Sequence, residues 1–257
     1  MTRFAKDSRL VFDLGLNNGD DTEFYLKRGF DVIALEANPA LCERAQHRFH
    51  GAIGDGRLKI LNVAVWDRSG HTSFYVNLDN DHWSSLDATW AARDSSRCRE
   101  ITIASETLGG LFAEFGVPHY LKVDVEGADQ SVLEQLRGCE LLPLFVSVED
   151  CRLGFDYMRI LASCGYNAFQ LLDQSSVPEM VDKATGHVFP PGSSGPFGND
   201  LPGAWLQHDA MTEHYSSTVR DRSGNRVAAR SHWWDIHCTN MSIAPLRHTS
   251  VEQPTAQ

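Results

Sequence analysis

In the stretch VFDLGLNNGDD, Asp13, Gly15, Asn17 and Gly19 fall on alternate positions, and Glu36 follows 23 positions after Asp13. Glycine at 15 and 19 lets the backbone approach a ligand where a Cβ would intrude. A carboxylate at 36 can accept both hydroxyls of a ribose, as an acid does after the second strand of dinucleotide sites. The spacing is DxGxNxG rather than GxGxxG, and Asp20 and Asp21 stand where a diphosphate needs an open helix N-terminus. Those acids repel a diphosphate but tolerate a ligand carrying a sulfonium and an ammonium. That points to S-adenosylmethionine, with Asp21 and Asn38 added to the candidate contacts.

Further along, Asp124 and Glu126 are followed by Gly127, and Glu149 and Asp150 follow an apolar run. If these runs are neighbouring strands, their carboxylates converge on one sheet edge. Asp124, Glu149 and Asp150 then offer hard oxygen ligands to Mg²⁺, which would lower the pKa of an acceptor hydroxyl. Alternatively, Asp124 or Glu149 acts as a general base or meets a ligand ammonium. His82, in the segment NLDNDHWSSLDATW, is a further candidate base, because an unperturbed imidazole titrates near neutrality. The competing reading is an ordinary surface histidine. Trp83 covers apolar surface or an adenine, and Asn62 and Ala64 are adenine-side candidates or plain strand-end residues.

The elements that must position these residues alternate. Apolar runs at 10–14, 32–35, 58–65, 121–125 and 144–148 read as strands, and 20–28, 39–49 and 128–136 as helices. Strands separated by helical patterns predict an α/β fold with a mostly parallel sheet and helices on both faces. Residues 1–243 read as one domain and 244–257 as a disordered tail. Residues 174–205 are rich in Gly, Pro and Ser, and a segment of that length reads as a lid or binding loop, with 187–205 folding over the acceptor pocket. The run from His232 to His237 mimics a metal site, but its two-residue alternation predicts a strand. Lys122 and Arg137 read as structural.

A formal net charge of −11 over 257 residues disfavours nucleic acid or an anionic membrane as general partners. The six cysteines lack CxxC pairs, which suits reduced thiols in a cytoplasm. The N-terminus lacks the apolar core of a signal peptide, and no run approaches a membrane span. The expected partner is a small-molecule or glycosyl acceptor, and self-association as a homodimer stays open.

VFDLGLNNGDDTEFYLKRGFDVIALEANP and YLKVDVEGADQSVLEQL resemble the two signature stretches of the FkbM-type methyltransferases, and SSGPFGNDLPGAW is similar to a segment some members carry. The resemblance implies a class I methyltransferase, Rossmann-like fold of seven strands with the last antiparallel, and S-adenosylmethionine as donor. It assigns Asp13, Gly15, Asn17 and Gly19 to the first cofactor motif, Glu36 to the ribose, and Asp124 and Glu126 to the acidic motif after strand four. Ser84 and Ser85 resemble a serine pair near the cofactor in related sequences, and acids after strands four and five hold Mg²⁺ in some other class I O-methyltransferases. The family mostly methylates hydroxyls. N-methylation, a nicotinamide-dependent oxidoreductase and a catalytically silent cofactor-binding module are the alternatives, the oxidoreductase opposed by the missing GxGxxG.

Overall fold

The computed structural model describes residues 3–5 and 9–242, so the tail expected to be disordered lies outside the described residues. Seven strands form the main sheet: β1 (Leu10–Leu14), β2 (Asp31–Leu35), β3 (Leu58–Leu61), β4 (Tyr120–Val123), β5 (Phe145–Glu149), β6 (Ala168–Asp173) and β7 (Trp234–Thr239). Their order is β3-β2-β1-β4-β5-β7-β6. β1 to β5 pair in parallel, and β7 runs antiparallel to both β5 and β6. Buried on both sides, β1, β2, β4 and β5 are written as nearly continuous apolar runs rather than as alternating ones. The strand order reverses between β1 and β4, where an open sheet leaves a crevice beyond its carboxyl ends.

Helices Asp20–Lys27, Pro39–Arg48, Leu108–Phe115, Asp129–Gln135 and Gly154–Cys164 supply the crossovers. Asn38 starts the second of them: its side chain accepts from Ala40 N at 3.1 Å, and Pro39 occupies the first turn, where a missing N–H costs nothing. No helix among the described residues is long and apolar enough to cross a membrane. All six cysteines are free.

The run expected as one strand over 58–65 is two. Asn62 Nδ2 donates to the carbonyls of Glu36 and Ala37, at 2.8 and 3.2 Å, and leads the chain out of the main sheet. Ala64–Val65 then joins a second sheet with Cys98–Glu106, which also pairs antiparallel with Gly70–Asn77. This sheet has its own small core of Ala64, Phe74, Val76 and Ile103, and it carries the 77–90 connection to the crevice.

The Gly/Pro-rich segment meets the crevice at Pro191 and Gly192, while its phenylalanines turn into the core. Phe189 and Phe197 are buried, and Phe197 stacks on Tyr120 of β4 with centroids 3.9 Å apart. Cβ atoms added at Gly195 and Gly198 would meet Val177 at 2.8 Å and Phe145 at 3.2 Å. Arg28 ties the segment down through Asp182 and Asp200, at 2.5 and 2.6 Å. Residues 187–205 therefore form a strap packed into the core, because their aromatics find the ring-rich face made by helix Asp20–Lys27 and β4. The expected strand near His232 exists as β7, buried along nearly its whole length between β5 and β6.

Candidate active site

Beyond the carboxyl ends of β1, β2, β4 and β5 lies a cavity of about 900 Å³. Gly15 follows β1 at φ +91°, and a Cβ there would sit 1.8 Å from the carbonyl oxygen of Asp124, so the chain leaving β1 can pass the end of β4 only through glycine. Gly15, Asn17, Glu36, Ala64, Asp124, Glu126, Glu149 and His82 line the cavity, as does the rim of Asp150.

Glu36 follows β2 and is fixed by two backbone donors: Asn17 N to Oε2 and Asn38 N to Oε1, both at 2.8 Å. Asn17, at φ +49°, turns the loop so that its amide can reach the carboxylate. Burial raises the Glu36 pKa to about 7, with those two amides pulling the other way. Asp13 is fully buried and does not reach the cavity. Its Oδ2 accepts from Thr22 at 2.6 Å, and burial raises its pKa to about 6 against the pull of Lys122.

Lys122, read from sequence as structural, is the hub beneath the crevice. Its buried ammonium lies 3.5 Å from Asp13, 3.3 Å from Asp21 and 3.3 Å from Asp124. Asp21 is correspondingly turned away from the cavity: its Oδ1 accepts from Ser194 N of the strap at 2.8 Å. Gly19 serves packing, since a Cβ would meet the Phe49 ring at 2.5 Å. Asn38 is spent on its helix cap and Asn62 on backbone carbonyls. Ser85 is buried and donates to Glu126 O at 2.5 Å, holding the turn after β4, while its neighbour Ser84 lines the cavity.

At β4 and β5 the carboxylates converge. Oxygens of Asp124, Glu126 and Glu149 lie within 4.8 Å of one another. Asp150, expected to be the third metal ligand, is instead turned aside. Its oxygens accept from Tyr215 at 2.6 Å and Arg220 at 2.8 Å, because helix His208–Thr218 and the second residue after it supply the two donors. Glu126, at φ +52°, takes the vacant place and accepts from Trp90 Nε1 and Arg93, each at 2.8 Å. Burial, then the Asp124 charge, lifts the Glu126 pKa to about 8. Burial and the neighbouring Asp124 and Glu126 hold Glu149 well above the carboxylate range. His82 sits half exposed on the rim, with Nε2 3.9 Å from Asp81.

Sequence reasoning did not single out the basic wall. Arg93, Arg152, Arg220, Arg226 and Arg230 all line the cavity. The signal was present, since four arginines crowd 220–230 of an acidic chain.

The model of the methyltransferase FkbM domain matches residues 13–168, more than half of the chain. The chain belongs to the FkbM methyltransferase family. The matched region contains every acid at the crevice except Asp235 of β7, a buried neighbour whose pKa burial raises to about 8. Among solved structures, the FkbM domain is similar to the methyltransferase FkbM from Methylobacillus flagellatus KT, at 14% identity and a TM-score of 0.42. That match covers 67% of this chain and 41% of the other, so it spans less than half of that relative. The precorrin-6y C5,15-methyltransferase from Geobacter metallireducens GS-15 is similar at 7% identity and a TM-score of 0.41, over 92% of this chain and 83% of that one. A comparison with curated proteins yields no match.

The site suits S-adenosylmethionine, the donor the family implies. The Gly15 cradle leaves room that any Cβ would fill, Glu36 presents a fixed carboxylate, and the acids around Asp124 favour a cation. The same oxygens are a donor set Mg²⁺ accepts, although Lys122 and Arg93 already stand beside two of them.

Proposed function

We propose that this chain transfers a methyl group from S-adenosylmethionine to a hydroxyl oxygen of a small-molecule or glycosyl acceptor. The observation that carries the reading is the fixed Glu36 carboxylate facing the Asp124–Glu126–Glu149 group across one cavity that Gly15 keeps open. Bound S-adenosylmethionine supplies an electrophilic methyl group on a positively charged sulfur.

In this reading Glu36 accepts the ribose hydroxyls with the lone pairs its two backbone amides leave free. Asp124, held by Lys122, faces the ligand ammonium. Displacement at the methyl carbon breaks its bond to sulfur and forms one to the acceptor oxygen, while the hydroxyl proton leaves to a carboxylate. The Asp124–Glu149 pair, whose oxygens meet at the cavity wall, fits that task better than His82. Burial and the neighbouring Asp124 and Glu126 raise the Glu149 pKa, and a carboxyl so raised is a stronger base once ionised. The protein's contribution is alignment of the two reactants and removal of one proton. Release of S-adenosylhomocysteine on mixing the protein, S-adenosylmethionine and a panel of hydroxyl acceptors tests the reading. Release with amines alone would reassign the chemistry to nitrogen, and cofactor binding without release from any acceptor would leave a binding module.

A further inference from the structure

The chain has a net charge of −11, yet the basic side chains on its cavity wall comprise five arginines and no lysine. Two of the arginines are neutralised in place. Arg93 meets Glu126 and Arg220 meets Asp150, both at 2.8 Å. Arg226 is engaged with the carbonyls of Ala228, Ala229 and His232 and fastens its own loop.

Arg152 and Arg230 remain. Among the described residues no carboxylate lies within ion-pair distance of either, and both are exposed to the cavity. Arg152 follows directly on Glu149, Asp150 and Cys151, so it stands at the carboxyl edge of β5 and lines the same cavity as Glu149. Its backbone is left-handed at φ +83°, a conformation that a non-glycine residue adopts only when its surroundings impose it. The guanidinium lies 4.4 Å from the centroid of the Trp90 ring. Contact with a ring fixes the guanidinium while leaving its in-plane N–H donors free. Trp90 is itself anchored by its bond to Glu126.

The cavity therefore offers both signs of charge. The carboxylates beside β1, β2 and β4 suit a cationic donor, and the same cavity carries two guanidinium groups, Arg152 just after β5 and Arg230 shortly before β7, with no internal anion paired to either among the described residues. We infer that the acceptor is an anion, a hydroxyl compound bearing a phosphate or carboxylate group that Arg152 and Arg230 bind. This rests on the methyl-transfer reading for the role of the molecule bound, but the binding itself can be measured without turnover. Arginine is suited to the work because its planar fork matches both oxyanions in a bidentate manner.

The experiment titrates the protein, loaded with S-adenosylhomocysteine, with inorganic phosphate, a hexose 6-phosphate, a hydroxybenzoate and the uncharged hexose, by calorimetry. Wild type should show saturable binding of at least one oxyanion, weakened by rising salt, and none of the uncharged sugar. The Arg152→Gln/Arg230→Gln double variant should lose at least tenfold in oxyanion affinity with S-adenosylhomocysteine affinity unchanged. Arg152→Lys in the Arg230→Gln background should recover part of that loss. Preference for the hexose phosphate or for the hydroxybenzoate identifies the oxyanion. No saturable oxyanion binding, equal binding by the double variant, or a tenfold fall in S-adenosylhomocysteine affinity in that variant would overturn the inference, the last by moving these arginines to the cofactor carboxylate. If wild type binds oxyanions but not S-adenosylhomocysteine, the methyltransferase reading fails and the anion site stands.

Discussion

Replacing Glu36 with Ala removes the acceptor of two ribose hydroxyls and of two backbone amides at once. Charge-assisted hydrogen bonds contribute roughly 1.5 to 3 kcal/mol each in gross terms. After water takes over part of that role, S-adenosylmethionine affinity at pH 8 should fall by about one to three decades. The raised Glu36 pKa, about 7, adds a pH signature. Ligand binding needs the ionised carboxylate, so the advantage of wild type over Glu36→Ala should be full above pH 7. It should shrink by about tenfold between pH 8 and pH 6, the ratio of ionised fractions across a pKa near 7. Comparing the two proteins at each pH cancels titration of the ligand and of Asp13. Stability moves in the opposite sense. A carboxyl whose pKa is raised on folding keeps the folded state protonated, and its burial costs stability as pH rises from its unfolded value through about 7. At pH 5.5 the variant should melt about 4 to 8 °C below wild type, from two amides left to water at about 1 kcal/mol each. That gap should narrow by pH 8. Calorimetric titration and melting curves at pH 5.5 to 8 read both effects. A wild-type-to-variant affinity ratio that stays flat with pH would refute the placement of Glu36 at the ribose.

Three further outcomes follow from the packing. Lys122→Met leaves Asp13, Asp21 and Asp124 without their shared cation, so the variant should be strongly destabilised at pH 8 and regain stability as pH falls and Asp13 takes up its proton, which it does at a higher pH than in wild type because the lowering pull of Lys122 is gone; a pH-independent melting deficit would contradict this. Phe197→Ala should cost about 3 to 5 kcal/mol of stability by opening a cavity against Tyr120, with cofactor affinity of the folded protein unchanged; a normal melting temperature with reduced turnover would restore the lid reading. Exhaustive chelation should leave turnover intact if the carboxylates act as base and ammonium partner, and Asp150→Asn should lower the melting temperature by loosening Arg220. Activity lost to EDTA and restored by Mg²⁺ would instead make Asp124, Glu126 and Glu149 metal ligands.

What could be read from the chain was what short-range pattern encodes. The two glycines of DxGxNxG, the acid after β2 and the acid pair after β4 all lie one turn beyond a buried apolar strand, so their place on the sheet edge follows from local sequence. What could not be read depends on partners far along the chain. Asp150 looked equivalent to Glu149 until Arg220 and Tyr215, some 70 and 65 positions later, claimed it. Glu126 gained its place through Trp90 and Arg93, which arrive by way of a second sheet that the reading over 58–65 had folded into one strand. The aromatics of 187–205 were visible, but their burial is decided by Tyr120 and by helix Asp20–Lys27. Lys122 looked like a strand residue because nothing local shows that three carboxylates will surround it.

The central claim is that the crevice between β1 and β4 takes S-adenosylmethionine and not a dinucleotide. Titrating the wild-type chain in parallel with S-adenosylmethionine, NAD and NADP at pH 8 tests it most directly. The account predicts saturable one-to-one binding of S-adenosylmethionine, abolished by competing S-adenosylhomocysteine, and no binding of either dinucleotide. Saturable binding of NAD or NADP without binding of S-adenosylmethionine would contradict it.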